Sequence, residues 1–228
     1  LETTDSITIT DPGIYTVDMV NLNGCAHTDT ALVIETNCQS VLNLTVYLEG
    51  FYVGNGTMQP ALYNQGVGAD PLITDSILVE LHEPFYPYAL LDSRWTELHT
   101  NGSAVVNFPP MDDTLYVVVK HRNHLETWSA YPQIIHQGSN AIPLHSSANK
   151  AFGNNLKSMS AGVWAIFAGD INQDATVDAF DYLLLDPDII SGNFGYLVTD
   201  LTGDGIADAF DYIVLDSNLI NGVGVMAP

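Results

Sequence analysis

Near its C-terminus the chain places oxygen-bearing side chains at alternate positions: Asp170, Asn172, Asp174, Thr176 and Asp178, followed by Asp181. Counted from Asp170, these are positions 1, 3, 5, 7, 9 and 12 of a twelve-residue stretch. Asp200, Thr202, Asp204, Ile206, Asp208 and Asp211 repeat the spacing thirty residues later. Calcium is a hard cation that takes six to eight oxygens at about 2.3–2.6 Å. A loop of this length wraps it with alternate side chains, a backbone carbonyl at position 7 and a carboxylate at position 12 that binds through both oxygens. Thr176 and Ile206 need only their carbonyls for that role. The spacing therefore predicts two Ca2+ ions, one per loop. Helix capping by Asp178 and Asp208, with Asp181 and Asp211 in the first turn, is compatible with this reading. Capping alone leaves Asp170, Asp174, Asp200 and Asp204 without a reason.

The elements that must hold these loops follow from the repeat itself. Asp170–Asn193 aligns on Asp200–Val223 without gaps, and eleven of the 24 positions are identical. Such self-similarity marks a duplicated unit, here loop followed by helix. Phe180, Leu183 and Leu184 lie on one helix face, matched by Phe210, Ile213 and Val214. Tyr182 and Leu185, with Tyr212 and Leu215, make the other side apolar too, and a helix apolar nearly all round is buried on more than one face. One face is expected against the sister helix. Phe180 and Tyr182, or Phe210 and Tyr212, are expected to be buried against residues 39–168, because the connection Phe167-Ala168-Gly169 has none of the composition of a flexible tether.

The run Gly169-Asp170-Ile171-Asn172-Gln173-Asp174-Ala175-Thr176-Val177-Asp178, Asp rather than Glu at position 12, and two tandem loop–helix units resemble type I dockerin. The resemblance covers about a quarter of the chain. It implies a small α-helical calcium-binding unit and, as one alternative, a cohesin partner in a polysaccharide-degrading assembly. Two departures stand out. Position 6 is usually Gly; Gly205 conforms and Ala175 does not, and a non-Gly residue at positive φ costs on the order of 1 kcal/mol. Position 3 of the second loop is Thr202, a neutral and poorer ligand.

Composition narrows the partners. Twenty-seven acidic side chains against five basic ones give a net charge of −22, which excludes nucleic acid and anionic membrane surfaces and favours cations. All five basic residues precede residue 158, whereas the last 71 residues hold eleven Asp and no Glu, Lys or Arg. No apolar run reaches the roughly 18 residues of a membrane span, so no membrane insertion is expected. No signal peptide is visible. The chain does not begin with Met, and a longer precursor is expected, secreted and extracellular or at the cell surface. Cys25 and Cys38 are a candidate disulfide in that setting, or two small buried thiols.

The chain reads as mainly β, an antiparallel β-sandwich followed by the helical repeat pair, in three zones. In residues 1–38, strands are expected at Ser6–Thr10, Ile14–Val20 and Thr30–Glu35, with turns at Asp11-Pro12-Gly13 and Asn21-Leu22-Asn23-Gly24. Gly13-Ile14-Tyr15-Thr16-Val17, Asn23-Gly24-Cys25 and Asp29-Thr30 resemble the last strands of PKD/Ig-like repeats of Bacteroidetes surface proteins. In residues 39–168, strands are expected at Leu42–Tyr47, Ser76–Leu81, Ser103–Phe108, Leu115–Lys120 and Val163–Phe167. Leu48-Glu49-Gly50-Phe51-Tyr52, Ala61-Leu62-Tyr63-Asn64-Gln65-Gly66 and Lys120-His121-Arg122-Asn123-His124-Leu125-Glu126-Thr127-Trp128 resemble a module of large secreted Bacteroidetes proteins that precedes dockerin-like repeats. Residues 169–228 are the tandem repeats.

Other patterns carry less. His121 and His124, three apart on one strand, would point to opposite faces and not share a metal. No Gly-x-Ser-x-Gly, His-Glu-x-x-His or phosphate loop occurs, and Glu80, Glu83, Glu97 and Glu126 form no recognisable catalytic pair, so no enzyme activity is expected. Trp95, Trp128, Tyr131 and Trp164 could stack on sugar rings, although sandwich aromatics are more often core. Asp5-Ser6-Ile7, Asp29-Thr30-Ala31, Asp75-Ser76-Ile77 and Asp113-Thr114-Leu115 resemble the Bacteroidetes O-glycosylation sequon, which makes Ser6, Thr30, Ser76 and Thr114 candidate acceptors. The leading expectation is a non-catalytic, calcium-stabilised structural or interaction module of an adhesin or filament, with its own upstream domains or further copies as partners. The alternatives are the cohesin-binding dockerin and a carbohydrate-binding sandwich.

Overall fold

The computed structural model describes residues 8–9, 11–33, 39–160 and 162–228. It divides into two compact units, Leu1–Cys38 and Gln39–Pro228. In the first, β1 (Gly13–Val20) and β2 (Ala26–Val33) pair antiparallel from Gly13 opposite Val33 to Val20 opposite Ala26. The Asn21 side chain closes the turn by accepting from the backbone N–H groups of Asn23 and Cys25, each at 3.0 Å. Ser6, Ile7 and Thr10 lie outside the described residues, and Thr8 and Ile9 are not in a strand.

The second unit is mainly β. Its larger sheet holds β6 (Ile73–His82), β7 (Leu90–His99), β9 (Asp113–His121) and β10 (His124–Trp128) in the order β10-β9-β6-β7, with β11 (Gln133–Ile135) also on β9. A smaller sheet orders β12-β3-β8, from β3 (Ser40–Thr45), β8 (Ser103–Phe108) and β12 (Gly138–Pro143). Two short ribbons, β4 (Tyr52–Gly54) with β5 (Thr57–Met58) and β13 (Lys157–Ser160) with β14 (Val163–Ala165), complete the strands. Period-two alternation sends Leu42 and Leu44 of β3, and Ala104, Val106 and Phe108 of β8, into one core with Ile77, Val79 and Leu81 of β6 and Val117 and Val119 of β9. The sandwich is therefore as expected in kind but not wholly antiparallel. β12 runs parallel to β3, because the chain returns to that edge after a long excursion rather than through a hairpin.

β9 is buried on both faces. Tyr116 and Val118 point away from the main core and form a small cluster with Trp128, covered by Phe152 and Val225. A third cluster joins Leu125 at the start of β10 to Ile171, Val177, Leu185, Leu201 and Leu215. It fastens the two helices of the repeat, α2 (Ala179–Ser191) and α3 (Ala209–Ile220), to the sandwich. A further α-helix, α1 (Ala61–Asn64), is a single turn beside β6, and two short 3-10 turns lie at Ala148–Lys150 and Phe152–Asn154.

Candidate metal-binding loops and the docked helix pair

Both loops fold the same way, and the carboxylate at position 12 organises each. Asp181 is fully buried at the start of α2; its Oδ1 accepts from the Ile171 and Asn172 N–H groups at 2.7 and 3.2 Å, and its Oδ2 from Asp178 N–H at 2.9 Å. Asp211 repeats this with Leu201 and Thr202 at 2.7 and 3.0 Å and Asp208 at 2.8 Å. Asp178 and Asp208 cap their helices by accepting from Phe180 and Phe210 N–H, each at 2.7 Å, and form a capping box with Asp181 and Asp211. At position 1, Asp170 accepts from Asp174 and Ala175 N–H, and Asp200 from Gly203 and Gly205 N–H. At positions 3, 5 and 7, the Asn172 amide and the Thr176 hydroxyl both donate to Asp174, Thr202 donates its hydroxyl to Asp200 at 3.3 Å, and Ile206 N–H donates to Asp204 at 3.0 Å. Position 6 has positive φ in both loops, +78° at Ala175 and +94° at Gly205, so the strain expected at Ala175 is present.

The electrostatics of the inward pair are unfavourable. Burial, reinforced by the neighbouring Asp181 carboxylate, pushes Asp170 up to about 6. Burial, with Asp200 close by, pushes Asp211 up to about 6. Asp181 and Asp200 are also raised by burial. Among the described residues, no Lys, Arg or His nitrogen lies within 4.0 Å of any of these four carboxylates. Nor are any three His, Cys, Asp or Glu side chains drawn together closely enough to hold a metal as they stand. Each loop instead offers a buried carboxylate pair, further side-chain oxygens and a backbone carbonyl. That donor set is oxygen-only and fits a hard cation rather than zinc.

The helix pair is docked on the sandwich by a face other than the expected one. Phe180 and Phe210 are 62% and 63% exposed, and Leu183 and Ile213 are 66% and 63% exposed. Tyr182 and Tyr212 are half-buried and pack on each other, with ring centroids 5.8 Å apart. The buried stripe is instead Asp181 and Leu185 in α2, and Asp211, Leu215 and Asn218 in α3. The physical reason is the carboxylate at position 12. It must turn into its loop, and the helical period then turns residues i+4 and i+7 or i+8 inward and the preceding Phe outward.

Two polar groups, which sequence reasoning did not assign, secure the docking. Buried Glu49 accepts from the Ala168 N–H at 3.0 Å and from the Asn218 amide, and pairs with Lys157 at 3.0 Å. Lys157 also reaches Asn218 Oδ1 at 2.9 Å. In the second group, fully buried Asp75 pairs with Arg122 at 3.0 Å and accepts from Tyr196 OH at 2.8 Å. Arg122 lies over the Tyr196 ring, 4.4 Å from its centroid, and donates to the Leu197 carbonyl. Burial alone would raise Asp75, but hydrogen bonding from His121 and the charges of His121 and Arg122 hold it well below the usual carboxylate range. Burial keeps His121 below its ordinary value, so at neutral pH Arg122 is the standing cation. The available signal was scarcity: in so acidic a chain, two of five basic residues fall in this docking layer.

Other expectations fare unevenly. His121 and His124 do not diverge. The chain turns between them, so they face each other across the β9–β10 register with Nδ1 atoms 2.8 Å apart. Trp128 is buried, Trp164 packs on the main core, and Trp95 and Tyr131 are exposed, so the four aromatics make no single platform. In three of the hydroxyl tripeptides the Asp side chain accepts from the next residue's N–H, at 2.7–2.8 Å. Thr30 and Thr114 are exposed, Ser76 is half-buried and Ser6 lies outside the described residues. Cys25 is exposed, and Cys38 lies outside the described residues.

No family model matches the chain, and no curated protein sequence matches it. Among solved structures, it resembles chains from two mutants of a type II cohesin–X–dockerin complex from Acetivibrio cellulolyticus. For the C-terminal interface mutant the identity is 13%, with 81% of this chain and 97% of that chain covered at a TM-score of 0.49. For the N-terminal interface mutant the figures are 14%, 79%, 95% and 0.47. The likeness is coarse, and no family assignment follows from it.

Proposed function

We propose that this chain is a non-catalytic protein-interaction module of a secreted or cell-surface protein, in which two calcium ions, bound at Asp170–Asp181 and Asp200–Asp211, order a helix pair for a protein partner. The observation that carries the reading is the matched exposure of Phe180 and Leu183 on α2 and of Phe210 and Ile213 on α3, while the opposite sides of both helices are docked. Large apolar side chains repeated on two helices and left uncovered are the signature of an interface rather than of a core. This favours the cohesin-binding alternative over a purely structural one, since a buried second face would have left nothing to bind with.

Calcium fits for the reason given by the donors. Buried carboxylates that oppose each other's ionisation gain most from a hard divalent cation, and metal binding energy at such loops is folding energy. Calorimetry on the whole chain should find two calcium sites. With both filled, a panel of cohesin-type sandwiches should include at least one binder, lost in EDTA and in Phe180→Asp with Phe210→Asp. Absence of any binder would return the reading to a structural module of an adhesin or filament, and binding that survives both treatments would refute the assignment of the interface to these helices and their calcium loops.

A further inference from the structure

The two loops share internal hydrogen bonds but differ in surroundings. In loop one, residues 172–176 are all exposed; the loop meets the sandwich through Ile171 and Val177, packed with Leu125, and through the Gln173 amide, 3.4 Å from the His124 carbonyl. Loop two is enclosed. A Cβ on Gly50 would lie 1.9 Å from the Leu201 carbonyl oxygen, and one on Gly203 would lie 2.9 Å from the Phe51 ring. Asn64 donates to the Gly203 carbonyl at 3.1 Å, and Asn123 to the Asp200 carbonyl at 2.9 Å. The buried Gln65 amide donates to the Asp200 carboxylate, and its carbonyl oxygen lies 3.4 Å from Arg122.

We infer that loop two is a latch whose ion is enclosed by the sandwich and exchanges slowly, while loop one trades its ion with solvent; the inference rests on the calcium reading above. The ligands alone do not rank the loops: position 3 is neutral in both, Asn172 and Thr202, and loop one carries the strained Ala175. The enclosure of loop two sets the order. Gln65 is the positioning residue. Its N–H group holds the Asp200 carboxylate in one orientation, with Arg122 in turn holding Gln65, whereas among the described residues the Asp170 carboxylate accepts only from the backbone N–H groups of Asp174 and Ala175. The latch joins the sandwich to the helix pair, so the partner-facing side of the pair stays oriented even when loop one is empty.

The test is calcium release from the whole loaded chain, mixed with a fluorescent chelator in a stopped-flow instrument. Two phases of equal amplitude are expected, the fast one absent in Asp181→Ala and the slow one absent in Asp211→Ala. Gln65→Ala should speed the slow phase by about tenfold, equivalent to about 1.4 kcal/mol, and leave the fast phase unchanged. Gln65→Leu separates positioning from packing: it fills the space without the N–H and should release as fast as the Ala variant. Recovery of the slow phase in the Leu variant, a single shared rate for both ions, or the slow phase assigned to loop one would each overturn the latch while leaving calcium binding intact. A chain that binds no calcium would overturn both.

Discussion

Arg122→Met is expected to cost about 3 kcal/mol of stability at pH 7. Arg122 is the charged partner of Asp75, whose side chain is wholly inaccessible, and Arg122 itself is only 12% exposed. Removing one member of a buried pair typically costs about 3–5 kcal/mol, because the remaining charge is left uncompensated. The low end applies, since Asp75 keeps Ser76 N–H at 2.7 Å, Tyr196 OH at 2.8 Å and His121 Nε2 at 3.2 Å. The pH dependence follows by linkage. The folded pKa of Asp75 lies below its unfolded value of 3.8, so its contribution is complete well above pH 4 and fades as the pH falls through that region. Removing Arg122 also lifts the like-charge pressure on His121, which can then protonate and pair with Asp75. The gap between native chain and variant should therefore narrow on acidification before Asp75 itself takes up a proton. Urea unfolding followed by tryptophan fluorescence, in saturating calcium at pH 7 and pH 5, measures both values. A cost under about 1 kcal/mol at pH 7, or an undiminished cost in an Asp75→Asn background, would refute the argument, because the penalty is assigned to the stranded carboxylate.

Further outcomes follow from the loops and helices. Ala175→Gly should stabilise the chain by about 1 kcal/mol by relieving positive φ and should tighten calcium at loop one; a lower urea midpoint would contradict it. Calcium affinity should fall as the pH drops through about 6, because Asp170 and Asp211 take up protons there. The calcium-free repeats should by the same linkage gain stability as the pH falls from 7 towards 4, since the folded state binds those protons more tightly. Calorimetry and hydrogen exchange across that range check the pair, and an affinity constant down to pH 5 would defeat it. Phe180→Ser with Phe210→Ser should change stability by no more than about 0.5 kcal/mol, whereas Leu185→Ala should cost about 2–5 kcal/mol. Comparable losses in urea unfolding would mean that the two aromatic rings are covered after all.

Local features were legible in the residues because each depends on a short stretch of chain. The capping boxes at Asp178 and Asp208, the positive φ at Ala175 and the alternation of β3 and β8 are all matters of neighbours a few positions apart. The duplicated Asp spacing likewise pointed to loops feeding helices without reference to anything distant. What escaped depended on contacts between remote segments. β7 is an edge strand with little burial, so its residues carry no clear alternation. β12 could join β3 only in parallel, a fact set by the path of the intervening chain. His121 and His124 met because the strand turned between them. The helices looked apolar all round, and hydrophobicity by itself could not say which side would be covered. The buried Asp181 and Asp211 decided that by turning inward, while Glu49 and Lys157 hold Asn218, Arg122 holds Tyr196 and Leu197, and Gln65 holds Asp200, all across long stretches of chain. Spacing along the chain sets what a residue can do locally. Which face of a helix meets another part of the molecule is decided by the free energy of the whole packing, and that is written in no single segment.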